Sequence, residues 1–148
     1  MEAEGAVRRP DSGRRTAPSA SNRQEIDVYV ATGDGLYRYE AGKHVLDPVL
    51  AEDIRGATGG QAFVREAPVQ LVYVADFARM EGSTTEDKIF YSAADTGFIS
   101  QNVYLYCASE GLATVVRAST DRATLAARMK LRPEQRITLA QSVGYPKK

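Results

Sequence analysis

The segment EDKIFYSAADTGFISQNVYLYCASE, residues 86–110, decides the fold that this chain can adopt. Apolar residues recur along it at helical spacing and cover most of the circumference, which predicts a long helix that is central and largely buried. Gly111 follows at once, and glycine there ends a helix because it enters the left-handed conformation without strain. The single cysteine, Cys107, lies inside the apolar pattern, so it is interpreted as buried core rather than as a nucleophile.

Strands are predicted on both sides of this helix. Ala67–Ala75 is almost continuously apolar, which is typical of a strand buried on both faces in the centre of a sheet. Ile26–Thr32 is rich in β-branched and aromatic residues and is predicted to be a second strand. Further strands are expected at Leu36–Tyr39, His44–Leu46, Ala113–Arg117 and Arg136–Ser142.

Two shorter helices complete the predicted elements. One spans Pro48–Arg55, with Asp47 as its N-cap and the proline at its first position. The other spans Arg122–Lys130 and begins after a capping Thr120 or Asp121. The elements together predict an α+β fold, in which a mixed, mostly antiparallel sheet packs on a long central helix.

Length and composition exclude several classes of function. The chain has 148 residues, 43% of them hydrophobic and 26% charged, which suits one globular domain. Its net charge of zero argues against a general nucleic-acid or anionic-membrane surface. It lacks a run of ~18 apolar residues, which a membrane span would need, and the hydrophobic core of a signal peptide, so the expected location is the cytoplasm. His44 is the only histidine, and no metal site is predicted.

The first residues differ in character from the rest. Residues 1–24 contain few large hydrophobic side chains, so they are expected to form an extended or flexible arm ahead of a domain at residues 25–148. The arm ends in the polar segment RRTAPSASNRQ, residues 14–24. Such a loop can offer several donors to a flat polar ligand, since Ser and Asn side chains also hold backbone N–H groups in place. A plain surface loop is the alternative, and Asn22 suits a ligand contact or a simple turn equally.

The order of these motifs resembles the nitroreductase family of flavoproteins, and most closely its SagB-type dehydrogenase branch, from about Gly13 to Pro146. The matching segments are Gly13–Ala20, Gly35–Tyr39 with His44 and Leu46, Glu66–Pro68, Asp95–Leu105, Gly111–Val116, Leu131–Glu134 and Val143–Pro146. Members of the family usually begin with a helix and an arginine-rich motif that grips the flavin phosphate. Only twelve residues precede Gly13, so a member shortened at its N-terminus is expected.

The resemblance implies an FMN site built from several regions. The loop would meet the pyrimidine side of the ring, often from one subunit while the other subunit supplies the rest. Ala118 and Ser119 fall where a main-chain N–H faces flavin N5, and Lys147 is a candidate for the phosphate. Arg117 is interpreted as a surface cation at the end of a strand. The candidate residues of the loop are Arg14, Arg15, Pro18, Ser19, Ser21, Asn22 and Gln24.

The implied function is that of an FMN-dependent oxidoreductase that passes a hydride from NAD(P)H through the flavin to a small organic acceptor. Hydride transfer needs no acid or base side chain, so no catalytic residue is predicted. A homodimer is expected, because one sheet can cover only part of the long apolar helix. The alternative is a flavin-free dimeric binding or interaction module of the same fold that has lost the phosphate-gripping segment. A fragmentary gene product with an exposed sheet edge is a third interpretation.

Overall fold

Six strands form one sheet in the computed structural model, which describes Gly13 and residues 15–148. The strands lie in the order β3-β2-β1-β4-β6-β5, and every neighbouring pair is antiparallel. The predicted α+β class with a mostly antiparallel sheet is therefore confirmed. The strands are β1 (Ile26–Thr32), β2 (Gly35–Glu40), β3 (Val45–Leu50), β4 (Val69–Asp76), β5 (Ala113–Arg117) and β6 (Gln135–Gly144).

The apolar strand β4 lies inside the sheet, between β1 and β6, as its sequence predicts. All of its residues except the first are buried. A strand with neighbours on both edges and cover on both faces has little use for polar side chains. Its one buried amide, Gln70, forms hydrogen bonds with Val64 O and with side chains of β5 and β6.

The long predicted helix is confirmed as α2 (Thr85–Glu110). Thr84 caps its first turn, since the Thr84 hydroxyl accepts from Asp87 N at 3.1 Å. Gly111 ends it with φ +67°, in the left-handed conformation that glycine adopts at low cost. The buried cluster between α2 and one face of the sheet includes Ile99, Val103, Cys107, Val28, Val30 and Tyr73.

The other face of the sheet is covered by shorter elements. They are α1 (Ala62–Glu66), a 3₁₀ turn at Arg55–Thr58 and α3 (Arg122–Arg128). Asp121 caps α3 by accepting from Thr124 N at 3.1 Å. Ile54, Leu125 and Met129 are buried against this face. Both faces of the sheet are thus covered, by α2 on one side and by these shorter elements on the other.

The predicted helix at Pro48–Arg55 is wrong. Residues Val45–Leu50 form β3, the outer strand of the sheet, where Pro48 lies opposite Tyr37. An edge strand forms ladder bonds on one side only, so it tolerates a residue without an N–H group. Asp47 accordingly sits in the strand opposite Arg38 instead of capping a helix.

The expectation that the long helix is largely buried is also wrong for a single chain. Only one side of α2 packs on the sheet, and its outer side carries large apolar residues. Phe90 is 67% exposed, Leu105 60% and Phe98 48%. Ile89 and Tyr91 are exposed as well.

Among the described residues, none of the helices combines the length and the apolar character that a membrane span requires.

Candidate functional site

The segment Ser19–Gln24 forms a tight, self-bonded loop directly before β1. Asn22 N donates to Ser19 O at 3.0 Å, and Gln24 N donates to Ser19 Oγ at 2.9 Å. Ser21, Asn22 and Gln24 all have positive φ values, of 54°, 51° and 50°. Side chains other than glycine enter this region at a cost, and such strain gathers at functional sites. We name this segment the polar loop.

The polar loop presents hydrogen-bond donors outward. Gln24 Nε2 donates to Asn22 Oδ1 at 3.1 Å and to Gly13 O at 3.2 Å. Because its oxygen is used in this way, Asn22 directs its amide N–H groups away from Gln24. Ser21, Asn22 and Pro18 are exposed. The loop therefore offers a hydroxyl and an amide donor at one surface.

The polar loop is anchored on the middle of α2. Ala20 N donates to Asp95 Oδ2 at 3.0 Å, and Asn102 Nδ2 donates to Thr16 Oγ1 at 3.2 Å. Arg15 is half-buried beside the loop, and burial lowers the pKa of its guanidinium, with Asp27 opposing that shift. Arg14 lies outside the described residues.

Two buried carboxyl groups lie behind the polar loop. Glu25 is fully buried and Asp95 nearly so. Burial and then a hydrogen bond with the Asp95 carboxyl raise the pKa of Glu25 to about 7. This pair was missed at the sequence level. The available signal was a glutamate directly before a buried strand, together with an aspartate among the apolar residues of a helix.

Ala118 and Ser119 are exposed and follow the last residue of β5. They begin a short turn in which Thr120 N donates to Ala118 O at 2.9 Å. Thr120 Oγ1 in turn donates to Thr58 O at 2.9 Å. Both candidate residues thus lie on a loop that the Thr120–Thr58 bond attaches to the protein. The outer surface of this loop is exposed.

The interpretation of Arg117 as a surface cation is wrong. Its residue is only 5% exposed, and its guanidinium donates to Thr58 O at 2.7 Å, Gln70 Oε1 at 2.6 Å and Ser142 Oγ at 3.1 Å. No carboxylate of the described chain forms an ion pair with it, and burial lowers its pKa. Arginine can reach these three acceptors at once because its planar guanidinium group donates in several directions. The sequence signal for a buried Arg117 was the presence of polar residues, Gln70 and Ser142, inside otherwise apolar strands.

Lys147 lies at the other end of the sheet from the polar loop. The start of β1 pairs with the end of β4, where Ile26 is opposite Ala75. Lys147 follows the end of β6, where Val143 is opposite Val69 at the start of β4. Lys147 instead borders an apolar groove of about 560 Å³. Other residues of that groove are Phe63, Pro68, Ala113, Val115 and Tyr145.

The fold brings some of the predicted residues together and keeps others apart. Ser19, Asn22 and Gln24 share one hydrogen-bonded loop. Ala118 and Ser119 follow the edge strand β5, and β4 and β6 lie between that strand and β1. Within one chain the candidate residues therefore form separate half-sites.

The chain matches the sequence profile of the nitroreductase family over residues 3–145. A protein of Methanocaldococcus jannaschii, provisionally named a nitroreductase, is 30% identical over 115 residues, which cover 71% of this chain and 58% of that protein. The chain thus spans less than two thirds of the length of that relative.

Solved structures share the fold. A provisionally named nitroreductase from Ralstonia eutropha is 43% identical with a TM-score of 0.91, covering 99% of this chain and 69% of that one. A chain of the Escherichia coli microcin synthetase McbBCD complex is 22% identical with a TM-score of 0.86, covering 99% and 62%. The second likeness shows the fold alone. Because the profile match spans most of its length, the chain belongs to the nitroreductase family, whose members are generally flavin-dependent oxidoreductases.

Proposed function

We propose that this member of the nitroreductase family is an FMN-dependent oxidoreductase that passes a hydride from NAD(P)H to a small organic acceptor. The observation that carries the proposal is the polar loop, in which three non-glycine residues have positive φ values and the exposed Ser21 and Asn22 side chains offer donors. A flat, polar ring with carbonyl oxygens along one edge needs donors of this kind. The ordered motifs, from Pro18-Ser19-Ala20 to Val143-Gly144-Tyr145-Pro146, favour the SagB-type branch, and the expected location is the cytoplasm.

The donor set of the polar loop suits the pyrimidine edge of a flavin. The Asn22 amide and the Ser21 hydroxyl are exposed beside main-chain N–H groups, so they could donate to ring oxygens. FMN, when bound, supplies the hydride acceptor and donor of the reaction. The residues of the chain orient the ring and leave one of its faces open. The hydrogen bonds from Asn22 N and Gln24 N to Ser19 keep these donors in place, which lowers the ordering cost of binding.

The second half-site is assigned to Ala118 and Ser119. Both are small and exposed, so a planar ring can approach their main-chain N–H groups closely. Their loop is held by the Thr120 bond to Thr58 O and by the buried Arg117. Because the half-sites of one chain are separated, we propose a homodimer in which each flavin lies between the polar loop of one subunit and Ala118–Ser119 of the other.

The proposal is tested by the absorbance spectrum of the purified protein after incubation with FMN and removal of free ligand. Flavin bands that stay with the protein and bleach on anaerobic addition of NADH or NADPH are expected. Asn22→Ala should weaken FMN binding by about tenfold, the value of one good hydrogen bond to a buried acceptor. Gln61→Ala, an exposed amide on the other side of the sheet, should leave binding unchanged. A colourless protein that retains no FMN would overturn the proposal.

A further inference from the structure

Glu25 is the one described residue with buried side-chain oxygens that receive no hydrogen bond from an N–H or O–H group of the described chain. Both of its carboxyl oxygens are out of contact with water, and no N–H or O–H group of the described chain gives either of them a well-formed bond. A buried carboxylate without donors or a cation costs several kcal/mol. The group that faces Glu25 is instead a second carboxyl, that of Asp95 on α2.

Two facing carboxyl groups in a dry site are stable only when a proton lies between them, because like charges at this range cannot both persist. Asp95 already accepts the Ala20 N–H at 3.0 Å. An acceptor of that bond can also accept from a protonated Glu25, which makes Glu25 the member that carries the proton. The pair then becomes one hydrogen-bonded unit that joins the start of β1 to α2 and to the polar loop.

The surrounding charges do not replace this proton. The positive charge of Arg23 opposes the rise in the Glu25 pKa, but its guanidinium is directed to Ser83 Oγ at 2.8 Å. Arg15 lines the same small cavity as Asp95 from the segment before the loop. From β4, Asp76 contributes its main-chain N–H to Glu25 O, and its carboxylate is engaged by Arg132 at 2.6 Å. No described residue therefore forms an ion pair with Glu25.

We propose that Glu25 is a positioning residue: it shares one buried proton with Asp95, this proton fastens the polar loop to α2, and the loop loosens when the proton is lost. The effect on the loop is independent of any ligand. The corollary, weaker FMN binding at alkaline pH, rests on the proposed function. Loss of the proton creates two adjacent negative charges, and their repulsion drives Asp95 away from Glu25 and from its bond with the Ala20 N–H.

The test follows the carbon-13 resonances of the side-chain carboxyl groups from pH 4 to pH 9, together with the Ala20 amide resonance. Glu25 should titrate with a midpoint near pH 7, and the Ala20 amide should shift with the same midpoint. Exposed Glu66 serves as the internal reference. If both carboxyl groups of the pair titrate below pH 5, or if the Ala20 amide ignores the Glu25 transition, the proposal is overturned.

The Glu25→Gln variant tests the effect of the shared proton separately from the other contacts of the site. A glutamine amide can donate to Asp95 at every pH, so this variant should hold the Ala20 amide in its low-pH position up to pH 9. Glu66→Gln should keep the transition of the unchanged protein. In the same samples, the dissociation constant for FMN should rise by at most about tenfold per pH unit above the midpoint, and Glu25→Gln should abolish this rise. The shared proton is supported, and the proposed function contradicted, if the transition occurs in a protein that binds no FMN at any pH.

Discussion

Arg117 connects the last two strands of the sheet to the layer that covers them. Its guanidinium reaches Gln70 on β4, Ser142 on β6 and the main chain of Thr58. Ser142 Oγ also donates to Gln70 Oε1 at 2.8 Å, so the acceptors share one network. Such a network is stable when complete, and each part lost leaves a buried polar group unsatisfied.

Arg117→Lys should therefore destabilise the protein even though the charge is kept. An ammonium group cannot replace a planar fork that donates in three directions, and buried acceptors would remain without donors. We expect a loss of about 2–3 kcal/mol in the free energy of unfolding, measured by urea denaturation. Arg128→Lys is the matched control, because Arg128 pairs with Glu52 at the exposed surface, and its change should stay below about 0.5 kcal/mol. Equal losses in the two variants would contradict the role given to Arg117.

Glu25 also predicts how stability depends on pH. Its pKa is raised from 4.5 to about 7 in the folded chain, so folding favours the protonated form. The resulting stabilisation is complete below about pH 4.5 and is lost as the pH rises through about 7. Relative to Glu25→Gln, the unchanged protein should lose about 3 kcal/mol over this interval. Urea denaturation of both proteins at pH 5 and pH 8 measures the difference, and a constant difference at the two pH values would contradict the shared proton.

At the scale of the element, the end of α2 depends on one backbone conformation. Gly111 has φ +67°, and a Cβ atom added there would meet no neighbouring atom. The cost of Gly111→Ala is therefore conformational only, and we expect about 1 kcal/mol of destabilisation. Gly60→Ala is the matched control, since that position is equally open but lies outside the left-handed region. Thermal denaturation should lower Tm for the first variant only. An unchanged Tm for Gly111→Ala would contradict this account of the helix end.

Elements with a strong local signal could be predicted from the sequence. The strand at 26–32 and the strand at 113–117 have the predicted bounds, and α2 differs from its prediction by one residue at its start. Only the start of β3 could be predicted, as the strand at 44–46, because the aspartate-proline pair that follows is typical of a helix start. The pairing with β2 is what continues the strand to Leu50. That pairing is a tertiary contact, which local propensity does not contain.

In the candidate site, too, the local features could be predicted from the sequence and the long-range contacts could not. The polar loop could be identified because its hydroxyl and amide residues form a local pattern that ends at a strand. The Glu25–Asp95 pair joins residues 70 positions apart, and the bonds of the Arg117 network join residues up to 72 positions apart. Neither has a local motif, since each depends on which side chains the sheet and α2 bring face to face.

At the scale of the whole molecule, α2 carries five of the eleven exposed large hydrophobic side chains of the described residues. Phe90, Phe98 and Leu105 recur at helical spacing on it, and Gly97 between them leaves open space. A self-complementary apolar stripe of this kind is suited to a twofold helix pair. Phe98→Glu should therefore weaken self-association by roughly 30-fold, or about 2 kcal/mol, in light scattering after size exclusion. Lys43→Glu, exposed in a turn, should leave association unchanged, and a monomeric starting protein would contradict the dimer.

A dimer that also completes the flavin site makes a stricter prediction, which mixed subunits can test. Asn22→Ala weakens FMN binding at the polar loop, and Ala118→Trp places an indole on the exposed second half-site. At an FMN concentration between the dissociation constants of the unchanged and the weakened sites, each variant alone should bind little FMN. If each site combines the polar loop of one subunit with Ala118–Ser119 of the other, a mixed dimer has one site damaged twice and one intact. Random exchange of equal amounts makes half of the dimers mixed, so about a quarter of all sites should bind FMN normally. If both half-sites of a flavin belonged to the same chain, every site in the mixture would stay damaged, and FMN retention after exchange would remain at the level of the separate variants.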